Sequence, residues 1–138
     1  MADFGRWAVW RRWLGQRSER HAARVLRRAG YRILAANLNE LVGEIDLLAL
    51  DPDRRTLVVV EVRSVTGPDP QAAADTVSLP KQKRLVAATL KYLGRRRLLG
   101  QPLRFDVLAL AWPPGGRRPR MLHIRDAFQP TERFQFFT

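Results

Sequence analysis

Four charged residues, Glu44, Asp46, Glu61 and Arg63, stand at period-two spacing in two otherwise apolar runs, VGEIDLLAL (42–50) and TLVVVEVR (56–63). Alternation of this kind, with β-branched residues between, is the pattern of a strand that is half committed to a core. The connection DPDRR (51–55) is a turn by composition. If it closes symmetrically about positions 53 and 54, paired residues sum to 107, Asp46 faces Glu61 and Glu44 faces Arg63. All four then share one face, and Ile45, Leu47, Val60 and Val62 take the other. Opposed residues have Cβ atoms about 4.5–5.5 Å apart. Two carboxylates at that distance repel unless one takes up a proton or a cation sits between them. Hard divalent cations are held by oxygen ligands, and Mg²⁺ by one or two carboxylates plus water and substrate phosphate. The pair therefore suits metal-assisted chemistry on a phosphate ester. A plainer reading stays open beside it. Acids in strands often line a solvated face, Glu44–Arg63 can be an ordinary cross-strand ion pair, and a one-residue slip would separate the carboxylates.

The surrounding elements decide what can join the pair. Residues 16–29 carry Ala22, Ala23, Leu26 and Ala29 at helical spacing and end at Gly30, which suits a left-handed C′ position. Glu19 lies one turn before Ala22 and Ala23, on the inward stripe, while Arg17, Arg20, Arg24, Arg27 and Arg28 point mostly outward. An acid on the buried side of a helix needs a partner, and Glu19 is a candidate third oxygen. Residues 31–36 read as a strand. Residues 64–77 form a loop with one helical turn around Gln71–Asp75. A helix opens at Ser78, a suitable N-cap, with Leu85, Ala88, Tyr92 and Leu93 on its core face and Gly94 near its end. Its first turn carries Lys81, Gln82, Lys83 and Arg84. A helix N-terminus favours anions, so these four are candidate phosphate contacts, or simply a solvated basic face. Residues 103–111 are a strand and 121–125 a short edge strand. The order α-β-β-β-α-β-β describes an α/β fold with a mixed sheet flanked by helices. His21 reads as a surface residue. Asp106 reads as support for the site or a partner for an arginine, not as a ligand.

The chain has 138 residues and 46% apolar composition, enough for one domain to bury a core. It contains no cysteine, which excludes disulfides and thiolate metal sites. Apolar runs are too short to span a membrane, and Arg6, Arg11 and Arg12 interrupt any secretory h-region. The expected location is cytoplasmic. Formal charge is +12, and such a field attracts polyanions, of which nucleic acid is the usual one. Three segments follow: a Trp/Arg-rich stretch (1–14) with Trp7, Trp10 and Trp13 at helical spacing, a central domain (15–128), and an aromatic tail (129–138) with Phe134, Phe136 and Phe137.

Gly15, Glu19 and Ala22, then GYRIL (30–34) and Asn37, VGEIDLLA (42–49), LVVVEVR (57–63), Val77, Ser78, Lys81, Gln82 and Leu85, and RFDVLAL (104–110) resemble the YraN family in order and spacing. These are largely uncharacterised bacterial proteins with a restriction-endonuclease-like fold, similar to PD-(D/E)xK nucleases and archaeal-type Holliday junction resolvases. The resemblance implies Asp46 and Glu61 as ligands of Mg²⁺ or Mn²⁺, with Glu19 near the metal and Glu44 in support. It implies DNA as the substrate, branched or damaged DNA among the forms to test. Resolvase-like folds often act as dimers, which makes a homodimer one reading of the assembly. The nuclease motif expects lysine at position 63. Here it is Arg63, which stabilises phosphate charge but cannot act as a base. Three functions compete: a metal-dependent endonuclease with Asp46, Glu61 and Arg63 as its catalytic groups; a nucleic-acid-binding module on a degenerate nuclease site; and an interaction protein that docks through its Trp-rich N-terminus.

Overall fold

The computed structural model describes residues 17–116 and 118–130. The Trp-rich stretch, Gly15, Arg117 and the phenylalanines beyond position 130 lie outside the described residues.

The elements are α1 (Arg17–Arg28), β1 (Arg32–Glu40), β2 (Gly43–Leu50), β3 (Leu57–Thr66), α2 (Pro70–Ala74), α3 (Leu79–Arg95), β4 (Leu103–Trp112) and β5 (Arg120–Phe128). The five strands form one sheet in the order β1-β2-β3-β4-β5. Only β3 and β4 run parallel, joined by the crossover through α2 and α3; the other pairs are antiparallel. This is a mixed sheet flanked by helices, the arrangement of restriction-endonuclease-like α/β folds.

Each face carries its own core. On one, Ala22, Ala23 and Leu26 of α1 pack against Ile33, Ala36, Leu47, Val58, Val60 and Leu108. On the other, Leu85, Val86, Ala88, Tyr92 and Leu93 of α3 pack against Leu34, Ile45, Leu48, Val59 and Phe105. Helix α1 stops as its sequence predicts. Gly30 has φ +95°, and the Tyr31 N–H reaches back to the Leu26 carbonyl at 3.0 Å, closing a Schellman cap. Helix α3 starts on Ser78, whose hydroxyl accepts from the Lys81 N–H. Its end falls near Gly94, as expected, at Arg95; Arg97 takes the left-handed position at φ +57° while Leu98 N–H bonds the Leu93 carbonyl at 2.8 Å. Burial of Leu98 compensates for a non-glycine residue there.

Three strands run at least three residues past the ends their local patterns suggest, β3 among them, which continues to Thr66. β5 runs nine residues to Phe128, whose ring stacks on Phe105 at 5.2 Å. β1 continues to Glu40 through Asn37, which stands at φ +52°. Asn tolerates this conformation better than most residues. The pairs Ala36↔Leu47 and Leu38↔Ile45 flank Asn37 and Asp46, so these two stand across from each other. Before the kink, Ala36 and Leu47 belong to the α1 side; beyond it, Leu38 and Ile45 belong to the α3 side. Ile45 therefore does not share a face with Leu47, Val60 and Val62, as simple alternation predicts. The turn of the backbone at Asn37 re-aims both strands at the position of Asp46.

Candidate functional site

The hairpin register is the one the turn implies. Leu47↔Val60, Leu48↔Val59, Ala49↔Val58 and Leu50↔Leu57 all sum to 107. The ladder then stops, one pair short of Asp46 and Glu61. Beyond it, the Val62 N–H donates to the Asp46 carboxylate at 2.9 Å. A side-chain acceptor thus satisfies a backbone donor where the strands part, and the carboxylate is held at the mouth of the gap. Because β2 and β3 diverge, Glu44 does not pair with Arg63 across the sheet.

The gap opens into a pocket of ≈ 380 Å³ lined by Glu19, Asn37, Glu44, Asp46, Glu61, Val62, Arg63 and Lys81. Four acids meet two cations there. Glu61 is the most enclosed, at 1% exposure, and its Oε2 is buried without a hydrogen-bond partner. Burial pushes its pKa from 4.5 up to about 8; the Asp46 charge adds to the rise, and Lys81 pulls against it. Burial raises Asp46 as well, against the Val62 N–H and a hydrogen bond from Glu61. Burial thus pushes both carboxyls upward, and each is affected by the other. Glu19 is buried on α1; its pKa is raised by burial and by Asp46, while a hydrogen bond with Asn37 opposes the rise. Glu44 is exposed at the rim.

The two cations differ in how they are held. Arg63 donates from Nε to Thr76 Oγ1 at 2.7 Å, and that hydroxyl donates to the Ala73 carbonyl at 2.6 Å. Its Nη1 stands 3.8 Å from Glu61 Oε1. Lys81 Nζ approaches the same oxygen at 3.5 Å. Of the four candidates that open α3, Lys81 alone lines this pocket. Gln82 donates to the Val77 carbonyl at 3.2 Å, and Lys83 and Arg84 are exposed on the flank. Gly43 fits tightly beneath them: a Cβ there would meet the Arg84 carbonyl oxygen at 3.0 Å. That close approach seats the β1–β2 hairpin on the start of α3.

An orphaned buried carboxylate oxygen beside a second carboxylate fits a hard cation, which supplies the missing partner. Among the described residues no three Asp, Glu or His side chains converge as a closed ligand set. The fit is therefore to an ion held by two carboxylates with open positions, not to an all-protein cage.

Asn37 is the pocket residue that strand patterning misses. It falls just past the strand read at 31–36, and its signal in the sequence was its place in the family motif. Asp106 belongs elsewhere. It is fully buried and accepts from Arg104 Nε at 2.8 Å, from the Asp126 N–H at 3.0 Å and lies 2.8 Å from His123 Nε2. Arg104 also reaches Asp51 at 2.8 Å and the Tyr31 hydroxyl at 2.9 Å. His21 packs edge-on against Trp112 at 5.1 Å instead of lying free on the surface.

Residues 18–110 match the uncharacterised protein family UPF0102. The chain belongs to this family. The YraN family read from the motifs is the same one. It is similar to a UPF0102 protein of Rhodopirellula baltica, at 44% identity over 83% of this chain and 70% of the relative. A UPF0102 protein of Pelotomaculum thermopropionicum is 38% identical over 86% of this chain and 97% of its own. One of Syntrophus aciditrophicus is 40% identical over 83% and 87%. No helix among the described residues is long and apolar enough to cross a membrane.

Proposed function

We propose that this UPF0102 protein is a divalent-metal-dependent endonuclease that hydrolyses phosphodiester bonds in DNA. The observation that carries the reading is geometric: Asp46 and Glu61 line one pocket, and the buried Glu61 Oε2 is left without a hydrogen-bond partner. Such a pair is costly unless something positive is meant to lie against it. Asp46 and Glu61 would hold Mg²⁺ or Mn²⁺, with Glu19 beside them in the pocket as a further oxygen. When bound, such an ion polarises the phosphoryl group and makes a bound water more acidic. Asp46 keeps its orientation through the Val62 N–H. The Arg63 guanidinium lies in the pocket beside Glu61 and adds positive charge to it. The charge of +12 concentrates the polyanion at the surface. Branched or damaged DNA is the substrate class to examine first, on the likeness to resolvases.

A second reading has its own support. Arg63 occupies the motif's lysine position and is tied to Thr76, which fits a module that binds nucleic acid without cutting it. One assay separates the two: labelled duplex, single-stranded, flap and four-way-junction DNA with Mg²⁺ or Mn²⁺, beside Asp46→Asn. Cutting that needs metal and disappears in the variant is the expected result. Salt-sensitive binding without cutting in any substrate overturns the endonuclease reading and leaves the binding module.

A further inference from the structure

We propose that the Lys81 ammonium, delivered from the first turn of α3, is the cation that engages the scissile phosphate in this pocket, the role the nuclease motif gives to position 63. The proposal rests on the endonuclease reading and asks which side chain completes it.

Arg63 is committed elsewhere. Its Nε is tied to Thr76, which is tied in turn to the end of α2, and its nearer approach to Glu61 is 3.8 Å. A guanidinium held by its Nε can turn little without losing that bond. Lys81 differs in both respects. Its backbone is fixed, because its N–H donates to the Ser78 cap at 3.3 Å and Gln82 is tied to the Val77 carbonyl. Its side chain is a flexible stem ending 3.5 Å from Glu61 Oε1, and it is 30% exposed. Side chains in a first turn lean toward the helix N-terminus, here across the pocket mouth. The N-terminal helix dipole adds positive potential at the same point. Lys83 and Arg84, the neighbouring cations, line no part of this pocket.

The chemistry asks for a donor, not a base. In the hydrolysis a water oxygen forms a bond to phosphorus. The bond from phosphorus to one bridging sugar oxygen breaks, and its electron pair stays on that oxygen. The water gives up one proton, and the leaving oxygen gains one. The Lys81 ammonium donates hydrogen bonds to a non-bridging phosphate oxygen as charge builds there.

Geometry gives the proposal a signature that a structural role lacks. Lys81 and a bound divalent ion draw on the same Glu61 carboxylate, so they compete for it. Removing the ammonium should help metal binding while it harms cleavage.

The test uses the full chain and its variants Lys81→Met, Lys81→Arg and Arg63→Met, with a thermal melt to verify folding. Mn²⁺ affinity is read by titration calorimetry and cleavage on the DNA that the parent cuts best. Lys81→Met should bind Mn²⁺ about threefold to tenfold more tightly and cut about a hundredfold more slowly. Lys81→Arg should regain part of the rate, and Arg63→Met should lose less than about tenfold. If Lys81→Met does not fold, Lys81→Gln carries the same expectations. Unchanged Mn²⁺ affinity in the apolar variant overturns the pairing of Lys81 with Glu61. A larger rate loss in Arg63→Met than in Lys81→Met returns the role to position 63. A parent that binds Mn²⁺ but cuts nothing refutes the endonuclease reading itself, and with it any catalytic part for Lys81, while the calorimetric comparison still reads the competition.

Discussion

Replacing Glu61 by Gln should stabilise the metal-free protein at alkaline pH and leave it unchanged near pH about 5. In the folded chain burial and the Asp46 charge hold the Glu61 proton up to about 8; an ordinary glutamate gives it up near 4.5. Folding therefore takes up a proton throughout that window, and the stability tied to this group falls as pH rises from 4.5 to about 8. Below and above the window the group contributes no slope. At ~1.4 kcal/mol per pH unit, a separation this wide is equivalent to at most about 5 kcal/mol. Because Glu61 and Asp46 act on each other, the two titrate together, and a difference of about 2–5 kcal/mol between parent and variant at pH about 8 is expected. Gln keeps the shape, and its amide can donate to the Asp46 carboxylate. The assay is urea unfolding of both proteins in chelator from pH about 5 to about 9, read as the difference in free energy. His21, whose pKa is lowered by burial and by Arg24, Arg17 and Arg20, adds a slope of opposite sign that cancels in the difference. Parent and variant curves that run parallel across the window would refute the raised Glu61 pKa.

Other expectations concern the frame around the site. Asp106→Ala removes a fully buried carboxylate that two side chains and a backbone N–H engage; urea unfolding at neutral pH should show a loss of about 3–5 kcal/mol. Burial alone would raise Asp106, but His123, Arg104 and the Asp126 N–H outweigh it and hold it at about 2. The stability it supplies is present above 3.8 and is lost as pH falls toward about 2, which an acid titration of parent against Asp106→Asn reads. Gly43→Val puts a side chain against the Arg84 carbonyl, and a denaturant midpoint shift worth about 1–3 kcal/mol is expected as the β1–β2 hairpin lifts from α3.

Much of the site was legible from residue type and spacing. Period-two charges in two apolar runs, joined by a short polar turn, determined the hairpin register. Helical spacing placed Glu19 inward, and Ser78 and Gly30 marked a start and a stop. These features depend on neighbours a few positions away, so local sequence carries them. The left-handed turn at Asn37 was not legible, because Asn permits it without requiring it. That turn, not strand periodicity, sends Ile45 to the opposite core from Leu47 and opens the gap that Asp46 fills.

The remaining choices were made by distant contacts. Nothing local separates Lys81 from Lys83 or Arg84, all basic residues within one turn of a helix; only the seating of α3 across β1 and β2 aims the first of them at Glu61. Likewise Arg104 gathers Asp51, Asp106 and Tyr31 from three strands' worth of sequence into one buried network. The sequence by itself determined the charges, their alternation, the hairpin and the family. The tertiary structure decided which charges meet in one pocket. Burial and convergence set pKa values and partners, and both are properties of the packed sheet order, with its one parallel crossover, that no short stretch of chain contains.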